Sequence, residues 1–140
     1  MTRVDFYILP DAEEDRRRVY LCRLVDKAWR MGNLIWIHVP ENGRAEALDE
    51  RLWTFSEGSF LPHERTGEGA DDCPVVLGNG EPDSARELLV NEDTEVPSFF
   101  SRFERVAEVI NQDPETKSQG RARYAFYRDR GYELHHHEVS

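Results

Sequence analysis

The 140-residue chain is 39% hydrophobic, enough apolar material for one domain with a real core, and it is too short for two ordinary domains. Its formal net charge of -10 argues against a broad, sequence-independent grip on DNA or RNA, which needs a basic face to displace counterions from phosphates. No apolar run of about 18 residues occurs and the first residues lack the order of a signal peptide, so the expectation is a cytoplasmic protein with no membrane segment.

Val4 to Leu9 (VDFYIL) is short, apolar and aromatic, stops at Pro10, and predicts a buried strand. From Asp11 to Met31, Leu21, Leu24, Val25 and Ala28 recur at helical spacing and Gly32 supplies a stop, which predicts a long amphipathic helix. Leu34 to Val39 (LIWIHV) is continuously apolar, as a strand covered on both faces should be. A second helix is expected from about Arg44 to Trp53, after which the chain loosens into TFSEGSFLPHERTGEGADD. Pro74 to Leu77 and Glu87 to Val90 predict short strands around the turn-rich GNGEPDS. Pro97 to Ile110 suits both periodicities and divides into a helix followed by a strand, and Pro114 opens a last helix that runs to Arg130 before Gly131. The alternation predicts one three-layer α/β/α domain over residues 1–140, with a mostly parallel sheet.

Phosphate and metal motifs are missing. No Gly-Lys pair exists for a P-loop, the turn after the first strand reads PDAEEDR instead of a glycine fingerprint, and the glycines of GEG and GNG read as turn formers. Cys22 and Cys73 form no C-x-x-C pair, and the consecutive His135, His136 and His137 point in different directions in any regular structure, resembling a fortuitous nickel binder more than a built site. No metal, cofactor or catalytic residue is therefore expected. The competing reading is an α/β nucleotide-dependent hydrolase whose site is assembled from distant carboxylates and His63.

Two features stand out. Trp53, Phe55, Phe60, Leu61 and Pro62 crowd a loop that should be polar, either folding back as core or forming an exposed patch for another protein. Between Lys117 and Arg130 the acidic balance reverses to five basic residues against one acid, and Lys117, Arg121, Tyr124 and Arg128 share one helical face. That face is either a solvated surface or a receptor for an acidic peptide with an apolar end, with Tyr124 or Tyr132 walling the pocket.

The order FYIL, KAWRMGNLIWI, ALDERLWTF, SFLPH and RARYAFYRDRGYEL resembles the chi subunits of bacterial DNA polymerase III over nearly the whole chain. The resemblance implies a non-enzymatic linker in the clamp-loader assembly, with a nucleotide-binding-like fold that lacks a nucleotide site. It implies two partners, the psi subunit and the acidic C-terminal tail of single-stranded DNA-binding protein, and a possible third, a DNA-repair helicase served through the psi surface. Carried over by position, the psi surface comprises Phe60, Leu61, Pro62 and His63 supported by Trp53. The tail pocket comprises Lys117, Arg121, Tyr124 and Arg128, closed by Gly131 and Tyr132.

Overall fold

The apolar N-terminal segment forms β1 (Arg3–Ile8), whose four central residues are buried because the strand is covered on both faces. In this computed structural model, which describes residues 1–66 and 72–140, the chain continues through α1 (Glu14–Arg30), β2 (Ile35–His38) and α2 (Asn42–Thr54). Then follow β3 (His63–Arg65), β4 (Val75–Gly78), β5 (Leu88–Asn91), β6 (Arg105–Ile110), α3 (Pro114–Asp129) and β7 (Glu133–Glu138). The strands make one seven-stranded sheet in the order β3-β4-β2-β5-β6-β1-β7, and every neighbouring pair is parallel. No helix among the described residues is long and apolar enough to cross a membrane.

The sheet separates two apolar clusters. On one face Tyr7, Ile35, Ile37 and Val109 pack with Leu21 and Val25 of α1 and Leu48 and Leu52 of α2. On the other, Val4, Phe6, Trp36 and Val106 pack with Tyr127 of α3 and with Phe100 and Phe103. The alternation along each strand sends successive side chains to opposite clusters, which is why the central strands read as continuous apolar runs.

Local signals set the helix ends. Asp113 caps α3 by accepting from the Thr116 N–H at 3.1 Å, with Pro114 in the first turn. Gly131, at φ 77°, lets the chain reverse into β7. Within α3, a side chain at Gly120 would bring its Cβ to 2.8 Å from Ile110 Cδ1, so the glycine is what allows the helix to sit this close to the sheet.

Three expectations are corrected. The helix expected at the start of Pro97–Ile110 is a single 3-10 turn, Phe100–Arg102, because Phe103 returns to extended backbone (φ -96°, ψ 150°) to enter β6. Phe100 reaches α3, lying edge-on to Tyr127 at 5.3 Å, while Phe99 lies edge-on to His38 at 5.3 Å. The histidine triplet belongs to β7, and the loosened stretch after α2 contains β3; both are edge strands, half covered and therefore without apolar runs. Of the glycines read as turn formers, Gly80 has φ 103° as a turn requires, while Gly78 ends β4, where any side chain would meet the Trp36 ring. Gly67 and Gly69 lie outside the described residues.

Candidate functional site: a cationic groove and an aromatic edge

In open α/β sheets, ligands usually enter at the carboxyl ends of the strands, beside a helix N-terminus. Here that crevice is filled by an ion-pair network. The Arg17 guanidinium donates to both Glu92 oxygens at 2.6 and 2.7 Å, to Glu14 at 2.6 Å and to the Val109 carbonyl at 3.2 Å. The Arg17 and Glu92 side chains are only 3% and 5% exposed, and Arg44 adds a second cation 3.5 Å from Glu92. Burial would push the Glu92 carboxyl up, but Arg17 outweighs it and holds the group below its ordinary value. The first turn of α1 carries Glu14 and Asp15, charges that repel a phosphate. Among the described residues, no three His, Cys, Asp or Glu side chains group as a metal site.

The aromatic loop divides in two. Leu61 and His63 are buried at 1% and 4% exposure, whereas Trp53 and Phe60 stand out at 55% and 75%, with Pro62 half-buried between them. The His63 Nδ1 faces the Leu61 carbonyl at 2.9 Å, its Nε2 lies 3.2 Å from the Asp49 carbonyl and 3.3 Å from the Asp49 carboxylate, and the Trp53 ring covers the imidazole at 4.3 Å, so both nitrogens are engaged within the protein. A histidine held and covered in this way is a poor general base for a hydrolase. Leu61 and His63 form the bed beneath exposed Trp53 and Phe60 and half-buried Pro62, next to the edge strand β3.

The opposite edge holds a groove of about 440 Å³ between α3 and the sheet. Its floor is Phe6, Ile8 and Ile110, with Gly120 lying against Ile110 where α3 comes close to the sheet. Lys117, Arg121 and Tyr124 form the α3 wall, and His136 and Glu138 form the β7 wall. Tyr124 lies edge-on to Phe6 at 5.2 Å, and Lys117 Nζ donates to Gln112 Oε1 at 3.1 Å. Arg121 is exposed and has no carboxylate partner among the described residues. The combination of cations above an apolar floor suits an acidic chain bearing an apolar side chain.

The remaining residues expected at this site lie elsewhere. Arg128 is one turn farther along α3, outside the groove, and its exposed guanidinium pairs with Asp129 at 3.1 Å. Gly131 forms the turn after the helix, and Tyr132 packs edge-on to Phe100 at 4.9 Å, beneath α3. Arg123 belongs to the core, where its Nε donates to Glu108 Oε1 at 2.9 Å while Tyr127 OH and Asn91 Nδ2 donate to the other oxygen at 2.8 and 2.9 Å. Full burial pushes the Glu108 carboxyl above its ordinary value despite Arg123. This network ties the inner face of α3 to the sheet and thereby fixes the outer face that carries Lys117, Arg121 and Tyr124. Sequence reasoning missed the floor, which β1 and β6 assemble from residues distant in sequence, and the β7 wall. Period-two alternation through ELHHHE was the available signal for His136 and Glu138 sharing a face.

The family model described as DNA polymerase III chi subunit, HolC, matches residues 1–135. A Pseudomonas aeruginosa protein named DNA polymerase III subunit chi is 41% identical over 140 residues, covering 99% of this chain and 98% of that protein. Proteins of the same name from Haemophilus influenzae and Escherichia coli are each 30% identical, over 92% and 81% of this chain and 92% and 80% of their own length. Among solved structures, the crystal structure of T4 UvsW superposes with a TM-score of 0.68 at 8% identity, over 99% of this chain and 41% of the other, a likeness of fold alone.

Proposed function

The chain belongs to the DNA polymerase III chi subunit family and is an accessory subunit of the replicative polymerase; from that premise we propose that it is a non-catalytic adaptor joining two proteins at opposite edges of its sheet. The groove between α3 and β7 receives the acidic C-terminal tail of single-stranded DNA-binding protein. The exposed Trp53 and Phe60, with half-buried Pro62 between them, receive the psi subunit of the clamp loader beside β3.

The observation that carries the reading is the groove itself, an apolar floor under Lys117, Arg121 and Tyr124 in a chain whose net charge is otherwise acidic. Carboxylates of the tail pair with Lys117 and Arg121, and its apolar end lies on Phe6, Ile8 and Ile110. Each exposed pair is modest, about 1 kcal/mol or less, so affinity arises from several pairs acting with the apolar contact and falls in the micromolar range. At the other edge, aromatic side chains half or more exposed are the usual anchors of a protein interface. The adaptor reading needs no bound nucleotide, in keeping with the ion pairs that occupy the strand-end crevice.

The test is calorimetric titration with single-stranded DNA-binding protein, intact and lacking its acidic tail. Binding that disappears with the tail supports the assignment. Equal binding by both forms, or loss of psi association only when groove residues are replaced, overturns it.

A further inference from the structure

The β7 wall brings a titratable side chain to the groove that α3 alone does not supply. In the parallel register, His136 lies level with Phe6 and Glu138 level with Ile8. His135 and His137 project from the opposite face and are engaged there, His135 with Glu133 at 2.6 Å and His137 with the buried Asp5 at 2.9 Å while stacking on Tyr7 at 4.8 Å. His136 is exposed, lines the groove, and has no hydrogen bond or ion pair among the described residues.

Resting on the acidic-tail reading, we propose that His136 is a specificity-determining contact of that groove, binding a carboxylate of the peptide when its imidazole is protonated, so that the site grips acidic peptides more tightly as pH falls. The charged groups facing it are few. From α3 come Lys117, Arg121 and Tyr124, from its own strand Glu138, and from β1 and β6 only the apolar Phe6, Ile8 and Ile110. Lysine, arginine, tyrosine and carboxylate side chains ordinarily keep one charge state between about pH 5.5 and pH 8, whereas imidazole changes its own across that interval. Protonation raises the cationic lining from Lys117 and Arg121 to a set of three, against the single acid Glu138. Linkage fixes the sign: a peptide that prefers the imidazolium binds better where the imidazolium is populated.

The probe is a synthetic peptide of three aspartates followed by leucine and phenylalanine, titrated calorimetrically into the full chain at about pH 5.5 and about pH 8. Affinity should be about threefold to fivefold higher at the lower pH, the effect of one partly exposed pair. His136→Gln should bind with the weaker affinity at both pH values, and His136→Lys with the stronger affinity at both. His135→Gln should keep the parent's dependence. A flat profile for a parent chain that binds, or an unchanged dependence in His136→Gln, overturns this inference and leaves the tail reading standing. Absence of peptide binding at either pH, with Arg121→Ala indistinguishable from the parent, overturns the tail reading and this inference with it.

Discussion

Replacing Arg17 by methionine tests whether the strand-end crevice is structural. Methionine keeps most of the aliphatic stem but removes the guanidinium, leaving Glu92 buried at 5% side-chain exposure with Arg44, 3.5 Å away, as its remaining ion-pair partner. Breaking a buried pair by removing one partner costs about 3–5 kcal/mol, a large share of the roughly 5–15 kcal/mol that stabilises a domain. With a urea m-value of about 2 kcal/mol/M, the denaturation midpoint should fall by roughly 2 M at neutral pH. In the parent, Glu92 has a depressed carboxyl value, so its contribution is present above the unfolded value and fades as pH falls through the folded one. In the variant the loss of Arg17 favours the protonated carboxyl, so the deficit should begin to shrink as pH falls toward the ordinary carboxylate range and continue to shrink below it, where the parent loses its own contribution. Adding Glu92→Leu removes the stranded charge and should recover much of the loss. Urea titrations of parent, single and double variants provide the readout. A midpoint for Arg17→Met within about 0.5 M of the parent, or a double variant no better than the single, would refute the account of this network.

Phe60→Ala should weaken association with psi by about 2 kcal/mol in a calorimetric titration while leaving the melting temperature unchanged, because the ring is 75% exposed. The neighbouring Leu61→Ala should do the opposite, lowering stability by about 2–5 kcal/mol in a thermal melt, since Leu61 is 1% exposed. Arg121→Ala should lower tail affinity severalfold and reduce its salt dependence, whereas Arg128→Ala, outside the groove and paired with Asp129, should have the smaller effect. Millimolar ATP or GTP should leave the melting temperature unmoved, since a ligand that bound the native state would raise it.

The central strands and all three helices were legible because each carries its own signal: LIWIHV for a strand covered on both faces, Pro114 and Gly131 bracketing the last helix. Strands β4 and β5 are displaced by one residue from their expected limits, to Val75–Gly78 and Leu88–Asn91. The edge strands were illegible because half-covered backbone selects no apolar pattern; ELHHHE pairs with β1 through its main chain, whatever its side chains. The α3 half of the groove could be read from helical spacing, which places Lys117, Arg121 and Tyr124 on one face. Spacing alone also placed Arg128 there, because the extent of the groove is set by the sheet beneath it. Its floor joins Phe6 to Ile110 and its far wall is His136, contacts between residues about one hundred positions apart that no local pattern encodes.

The position of β1 has a consequence for how the protein is made. β1 is made before both of its neighbours and ends up between β6 and β7, its Arg3 in register with Arg105 on one side and Glu133 on the other. At translation rates of about 5–20 residues per second, β1 waits on the order of ten seconds for its two neighbours. During that interval VDFYIL is an apolar segment with both hydrogen-bonding edges open, the kind of element that pairs with foreign chains. Pairing of β1 on both edges must therefore wait for β7, and a chain truncated before β7 would retain one of those open edges.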